Sequence, residues 1–150
     1  MKFDDAVRNC FEKFTGLHPY DKQWIQATLA TKVGGLGLRS LSKHSPAAYL
    51  ASRSCCFSLC QQIDPQHIWE ISDPSSAAYR AATQVNVLSR ASVVISDPVP
   101  SNLQQRVLSS SIDTGTLKKL TDPLESNLSF RAHLSLLNLD GAGTWLYMPK

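Results

Sequence analysis

The sequence predicts an all-α protein: an irregular bundle of about five to six helices with a glycine-rich turn at residues 33–40. Three observations lead there. Apolar residues recur at three- and four-residue spacing through most of the chain, which is the period of a helix face. Asp, Ser and Pro stand where those patterns begin, and Gly or Asp-Pro where they end, as helix starts and stops require. The glycines cluster at 34, 35 and 37, so the main break in helical character is localised.

The first helix is expected over 4–14. Phe3, Val7, Cys10, Phe11 and Phe14 share one face, Asp4 or Asp5 caps the free N–H groups, and Thr15-Gly16 stops it. A second follows His18-Pro19-Tyr20, with Asp21 as cap and Trp24, Ile25 and Leu29 inside. Val33 to Ser40 then reads as a turn running into a short extended segment. The clearest helix spans 45–63, with Ser45 as cap, Pro46 at the first helical position and Asp64-Pro65 beyond its end. Ala47, Ala51, Ser54 and Ser58 form a row of small residues along it, which lets another helix approach closely. Its other faces carry Tyr49, Leu50, Cys55, Phe57 and Leu59, so it is expected to be the central, most buried helix.

Asp73-Pro74 repeats the cap-then-proline signal, ahead of a stripe of Ala78, Ala81, Ala82, Val85 and Leu88. Residues 93–100 combine a β-branched run with two prolines and read as an extended connector. Ser101 caps the next helix, which contains Leu103, Val107, Leu108 and Ile112. Leu117 and Leu120 belong to a short one ending before Pro123. The last helix is expected over 124–139, with Leu128, Ala132, Leu136 and Leu139 on one side and Asp140-Gly141 as its end. The tail containing Trp145, Leu146, Tyr147 and Met148 is too apolar to stand in water, so it packs on the bundle or meets a missing continuation. At 150 residues, with no repeat or linker to split it, the chain reads as a single helical domain.

Composition narrows the function. Hydrophobic residues make up 43% and charged ones only 18%, a shortage of charge that points to a surface built to meet something else. No apolar run approaches the length of a membrane span, and the start, MKFDDAVRNC, lacks a signal-peptide core. An intracellular location, cytoplasmic or nuclear, and no membrane partner are therefore expected. Cys55, Cys56 and Cys60 crowd one helix, a poor disulfide framework. With Cys10 they read as reduced, buried small hydrophobes. The net charge of +3 is unevenly placed: no Asp or Glu occurs from Lys22 to Ile63, while Lys22, Lys32, Arg39, Lys43 and Arg53 fall there. Such a stretch is either a solvated face or a contact for phosphate backbones.

The catalytic patterns fail one by one. Asp4-Asp5 resembles a metal-binding aspartate pair only in sequence, because it opens a helix and has no third carboxylate from a strand. The GGLGL run lacks the GK[ST] of a P-loop. Zinc would need two Cys/His pairs, and Cys56 with Cys60 is one pair while His18, His44, His67 and His133 are scattered. No G-x-S-x-G elbow is present. Trp24, Trp69 and Trp145 sit in apolar neighbourhoods and read as buried anchors rather than base-stacking platforms. No enzyme activity and no cofactor or metal is expected of the chain.

Two stretches resemble one family. Trp24-Ile25-Gln26-Ala27-Thr28-Leu29, then Gly34-Gly35-Leu36-Gly37-Leu38-Arg39-Ser40, then Pro46-Ala47-Ala48-Tyr49-Leu50-Ala51-Ser52 are similar to a block in non-LTR retrotransposon reverse transcriptase polyproteins, beyond the polymerase palm in the thumb-to-linker region. Arg131-Ala132-His133-Leu134, followed by Gly141-Ala142-Gly143-Thr144-Trp145-Leu146, resembles a later, less specific segment of the same family. Ala30 departs from the pattern, which usually has proline there. The resemblance implies a motif of Gln26, Gly34, Gly35, Gly37, Arg39 and Ser40, in a non-catalytic C-terminal fragment of an RNA-directed DNA polymerase. Its partners would be an RNA–DNA or DNA duplex and the missing polyprotein domains. The residues expected on the phosphate backbone are Lys32, Arg39, Lys43 and Arg53. The other reading is a helical protein–protein interaction module with no nucleic-acid role.

Overall fold

A computed structural model describes residues 3–91, 104–124 and 126–137. Among them the chain forms six α-helices and no strand, the all-α architecture expected. The helices are α1 Phe3–Thr15, α2 Asp21–Ala27, α3 Leu41–Ile63, α4 Ala77–Ser89, α5 Gln105–Thr121 and α6 Leu128–Leu137, with a short 3-10 turn at Thr31–Val33. They cluster into two compact units: Met1–Leu41 with Thr116–Lys150, and Ser42–Gly115.

In the first unit α1 and α2 are joined by polar and aromatic contacts. Arg8 bridges Glu12 one turn on at 3.2 Å and Asp21 at 2.8 Å, and lies 5.8 Å over the Trp24 ring. Phe11 meets the same indole at 5.8 Å. α1 ends as predicted, on Gly16 in the left-handed region at φ +70°. Asp21 is the first residue of α2 rather than its cap. The backbone N–H of Tyr20 instead donates to the Gln23 side chain at 3.0 Å, and Asp21 faces the positive end of the helix dipole. Leu29, Leu120 and Leu134 form the core of this unit, with Ile25, Val33, Leu117 and Phe130 packed around them.

The other core gathers Leu50, Trp69, Val85, Leu108 and Ile112 with Ala47, Ala81 and Ala82. The small residues on α4 permit that packing: of the predicted α4 stripe Ala78, Ala81, Ala82 and Val85 are buried, and Leu88 is half-buried.

Several elements differ from expectation, each for a physical reason. α3 begins at Leu41, not Ser45, and holds Pro46 inside it. A distant group makes the earlier start possible: the Asp4 carboxylate accepts both the Leu41 N–H and the Ser40 hydroxyl, each at 2.8 Å. Asp4 therefore caps α3 across the sequence. Asp4→Ala is expected to cost about 1 kcal/mol, as cap losses do, read as a lowered urea midpoint at unchanged slope.

α3 is also not the most buried helix. Only Pro46, Ala47 and Leu50 are buried, and by its end Ile63 is 88% exposed. Of its small-residue row only Ala47 reaches the core. The cysteines follow suit: all four are free thiols, Cys10, Cys55 and Cys56 are exposed, and Cys60 is half-buried, so they are not core hydrophobes.

Asp73-Pro74 does not open α4. Asp73 accepts the N–H and hydroxyl of Ser75, bonds that hold its carboxyl below the usual range, and Ser76 caps the helix by accepting the Tyr79 N–H at 3.0 Å. α5 is one helix where two were expected. Gly115 is buried inside it, and a Cβ there would run into the backbone of Leu88 and Ser89. The glycine admits α4 closely instead of ending α5.

α6 starts at Leu128, where the Asn127 side chain accepts the Phe130 N–H at 2.8 Å. Leu128, Ala132 and Leu136, the predicted core stripe, are exposed. Leu134 is buried, with Phe130 and Leu137 half-buried beside it. Both stripes are apolar at helical spacing, so periodicity could not choose between them. The expected cap Ser101, the connector at 93–100, Leu139, the Asp140-Gly141 stop and the tail with Trp145 lie outside the described residues.

Candidate functional site

Gln26, Gly34, Gly35, Gly37, Arg39 and Ser40 lie in and around the turn that follows α2. The chain leaves α2, makes the turn Thr31–Val33, and folds back so that its N–H groups satisfy the carbonyl of Ala27, the last residue of α2, and those of Leu29 and Ala30 just beyond it. Gly35 donates to Ala30 at 3.1 Å, Gly37 to Leu29 at 2.8 Å, and both Leu36 and Leu38 to Ala27 at 3.1 and 3.2 Å. The Gln26 side-chain amide donates to the Gly34 carbonyl at 3.2 Å and closes the loop from the helix side. No extended strand forms at 33–40 because these N–H groups are used on the carbonyls of Ala27, Leu29 and Ala30.

Each glycine answers a separate demand. Gly34 takes φ +81° as the left-handed end of the short helical turn. Gly35 passes so close to Leu29 that a Cβ would collide with its carbonyl. Gly37 takes φ +75°. Ser40 closes the segment on Asp4, which ties the turn to α1.

The basic residues divide. Lys32 and Arg39 are exposed on either side of the glycine turn in the first unit. Lys43 and Arg53 belong to the second, both half-buried. Arg53 has internal work. Its guanidinium lies 5.7 Å over the Trp69 ring and donates to the Ile68 carbonyl at 3.2 Å and the Tyr49 hydroxyl at 3.1 Å. It also approaches Glu70 at 3.4 Å. These bonds hold the segment after α3 against the helix, and they account for this arginine without a phosphate.

Next to the turn the same unit holds an open cavity of about 590 Å³. Phe11, Leu17, Leu36 and Leu137 give it apolar walls, Gly34 and Gly35 part of its floor, and Gln23, Gln26, His18 and His133 its polar groups. Its size is that of a small-molecule or side-chain pocket. Nothing in the sequence pattern announced it, because its walls come from α1, the turn and α6.

The other candidates resolve plainly. Asp4 is occupied in capping α3, and among the described residues no three His, Cys, Asp or Glu side chains gather where they would hold a metal ion. Trp69 is 2% exposed and cannot stack a base, while Trp24 is half-buried against Phe11. No described helix is long and apolar enough to cross a membrane. One pair went unnoticed in the sequence: His44 Nε2 lies 3.7 Å from the carboxylate of Asp113, which is 2% exposed. The readable sign was an acid beside Ile112 on the apolar face of α5. No protein-family model, curated protein or solved structure matches the chain.

Proposed function

We propose that this chain is a non-catalytic helical segment of a reverse-transcriptase-like retrotransposon polyprotein, and that its glycine turn seats a nucleic-acid backbone. The observation that supports this reading is the turn itself. Gln26, Gly34, Gly35, Gly37 and Ser40, known first only as a sequence likeness, all have bonding or steric roles in one compact turn with Lys32 and Arg39 exposed beside it. A turn pinned to helix carbonyls gives two cations a fixed separation, and fixed cations position phosphates without reading bases.

The test is binding of an RNA–DNA duplex by fluorescence anisotropy over a series of salt concentrations. Affinity should fall steeply with salt, and Lys32→Ala and Arg39→Ala should each reduce the log–log slope by about 1. Lys43→Ala should also weaken binding. Affinity that is flat with salt, or unchanged in all three variants, would remove the nucleic-acid role.

The second reading, a protein-interaction module, is favoured by a different observation. Phe14 is 91% exposed, and Leu17 and Leu36 at the cavity are exposed as well. A partner helix is the occupant this reading implies, and apolar contact of that kind persists at high salt.

A further inference from the structure

The sequence suggested buried cysteines, and the structure brings three of the thiols on α3 to or near the surface within six residues: Cys55 and Cys56 exposed, Cys60 half-buried. Cys56 and Cys60 are four residues apart, so they stand one above the other on the same flank of the helix. Cys55 points away from that line, since adjacent helical positions do not face each other. We propose that Cys56 and Cys60 form a two-coordinate thiolate site for Cu(I).

The spacing discriminates between the things a thiol pair can do. Side chains at this interval have Cβ atoms about 5–6 Å apart. A disulfide needs roughly 3.5–4.5 Å, so the regular helix holds the pair too wide to close on itself. A linear sulfur–metal–sulfur bridge spans roughly 4–5 Å between sulfurs, which two thiols whose Cβ atoms stand about 5–6 Å apart reach by rotation about χ1. Coordination number narrows the cation. Among the described residues no third His, Cys, Asp or Glu joins the pair, whereas structural zinc takes four ligands. Two soft thiolates and nothing more suit a soft monovalent ion that accepts linear geometry, and among biological metals that is Cu(I).

Charge is also favourable. Two thiols each release a proton to water and form one S–Cu bond, and copper stays monovalent throughout. The bridged complex therefore carries one negative charge. Arg53 stands three residues before Cys56 on the same side of α3, and no acid lies on the helix from Leu41 to Ile63. Glu70, at 3.4 Å from Arg53, is the nearby carboxylate. Because binding releases protons, it should tighten as pH rises.

The experiment is an anaerobic titration of the reduced full chain with Cu(I) in competition with bicinchoninate. The wild type and the Cys55→Ser and Cys10→Ser variants should retain one equivalent and show thiolate-to-copper absorption in the ultraviolet. Cys56→Ser and Cys60→Ser should each bind more weakly by more than about tenfold, with helical circular dichroism unchanged because neither side chain is in the core. Excess Zn(II) should not displace the copper. The site is overturned if the wild type loses Cu(I) to bicinchoninate, if the Cys56→Ser/Cys60→Ser double variant still holds the equivalent, or if Cys55→Ser abolishes it.

Discussion

Gly35→Ala is expected to destabilise the protein by about 3 kcal/mol, far more than one added methyl costs at an ordinary loop position. Gly35 donates to the Ala30 carbonyl, and its α-carbon lies against Leu29, where a Cβ would overlap carbonyl oxygen and carbon together. Neither atom can swing aside. Leu29 is a buried core residue of its unit, and its carbonyl accepts the Gly37 N–H at 2.8 Å. Relief therefore means moving the turn off α2, which gives up the bonds that end the helix. Two other glycines supply the comparison. Gly16 and Gly37 sit at φ +70° and +75° with no atom closer than 3.8 Å to an added Cβ. Alanine there meets only left-handed backbone strain, about 1–2 kcal/mol. Urea unfolding followed by circular dichroism should rank Gly35→Ala well above both. Equal costs at the three positions would mean the turn does not rest on Leu29. Under the proposed function Gly35→Ala should also weaken duplex binding at temperatures where the rest of the helical signal survives, because Lys32 and Arg39 lose their fixed separation.

What could be read from the sequence, and what could not, follows the range of the forces involved. Features set within one helical turn were legible: the stop of α1 at Gly16 and the buried alanine stripe of α4, whereas the apolar face expected on α1 buries none of its residues and leaves Phe3, Cys10 and Phe14 exposed. The glycine turn was legible as a turn, since three glycines in four positions oppose a helix. Features set by a distant partner were not. Asp4 was expected to cap its own helix, but α1 already includes Phe3, and the Asp4 carboxylate caps α3 from 37 residues away. α5 was expected as two helices, because only the backbone of α4 explains a glycine, Gly115, inside one. The core face of α6 was ambiguous, as two apolar stripes compete and Leu117 and Leu120, on another helix, decide between them. In the candidate site Gly34, Gly35 and Gly37 were legible as a turn, while the bonds of Gln26 and Ser40 were not. The work of each one, and the cavity beside them, required the chain to be folded back.

The same reasoning makes Asp113 the second position of large effect. A carboxylate 2% exposed on α5 has given up most of its hydration, and His44 of α3 stands 3.7 Å from it. Removing one member of such a pair leaves the other buried without its counterpart, so Asp113→Ala should cost about 3–5 kcal/mol. That figure is the cost of truncation, not the strength of the pair, because both residues have further interactions in the fold. A double-mutant cycle with His44→Ala separates the two quantities. The coupling should lie at about 0.5–3 kcal/mol, smaller than the loss from Asp113→Ala alone. Replacing both residues together with leucine should recover part of the loss, since a matched apolar pair carries no stranded polar group. The distance also predicts the behaviour of Asp113→Asn. At 3.7 Å this ring nitrogen is beyond ordinary hydrogen-bond reach of the carboxylate, so this contact is ionic only when the ring carries a proton. An amide of the same shape should therefore lose most of the coupling to His44. If Asp113→Asn keeps the full coupling, the contact is a hydrogen bond that tightens in solution. If Asp113→Ala is nearly neutral, the acid is hydrated after all and the packing of α3 on α5 is looser than the structure describes.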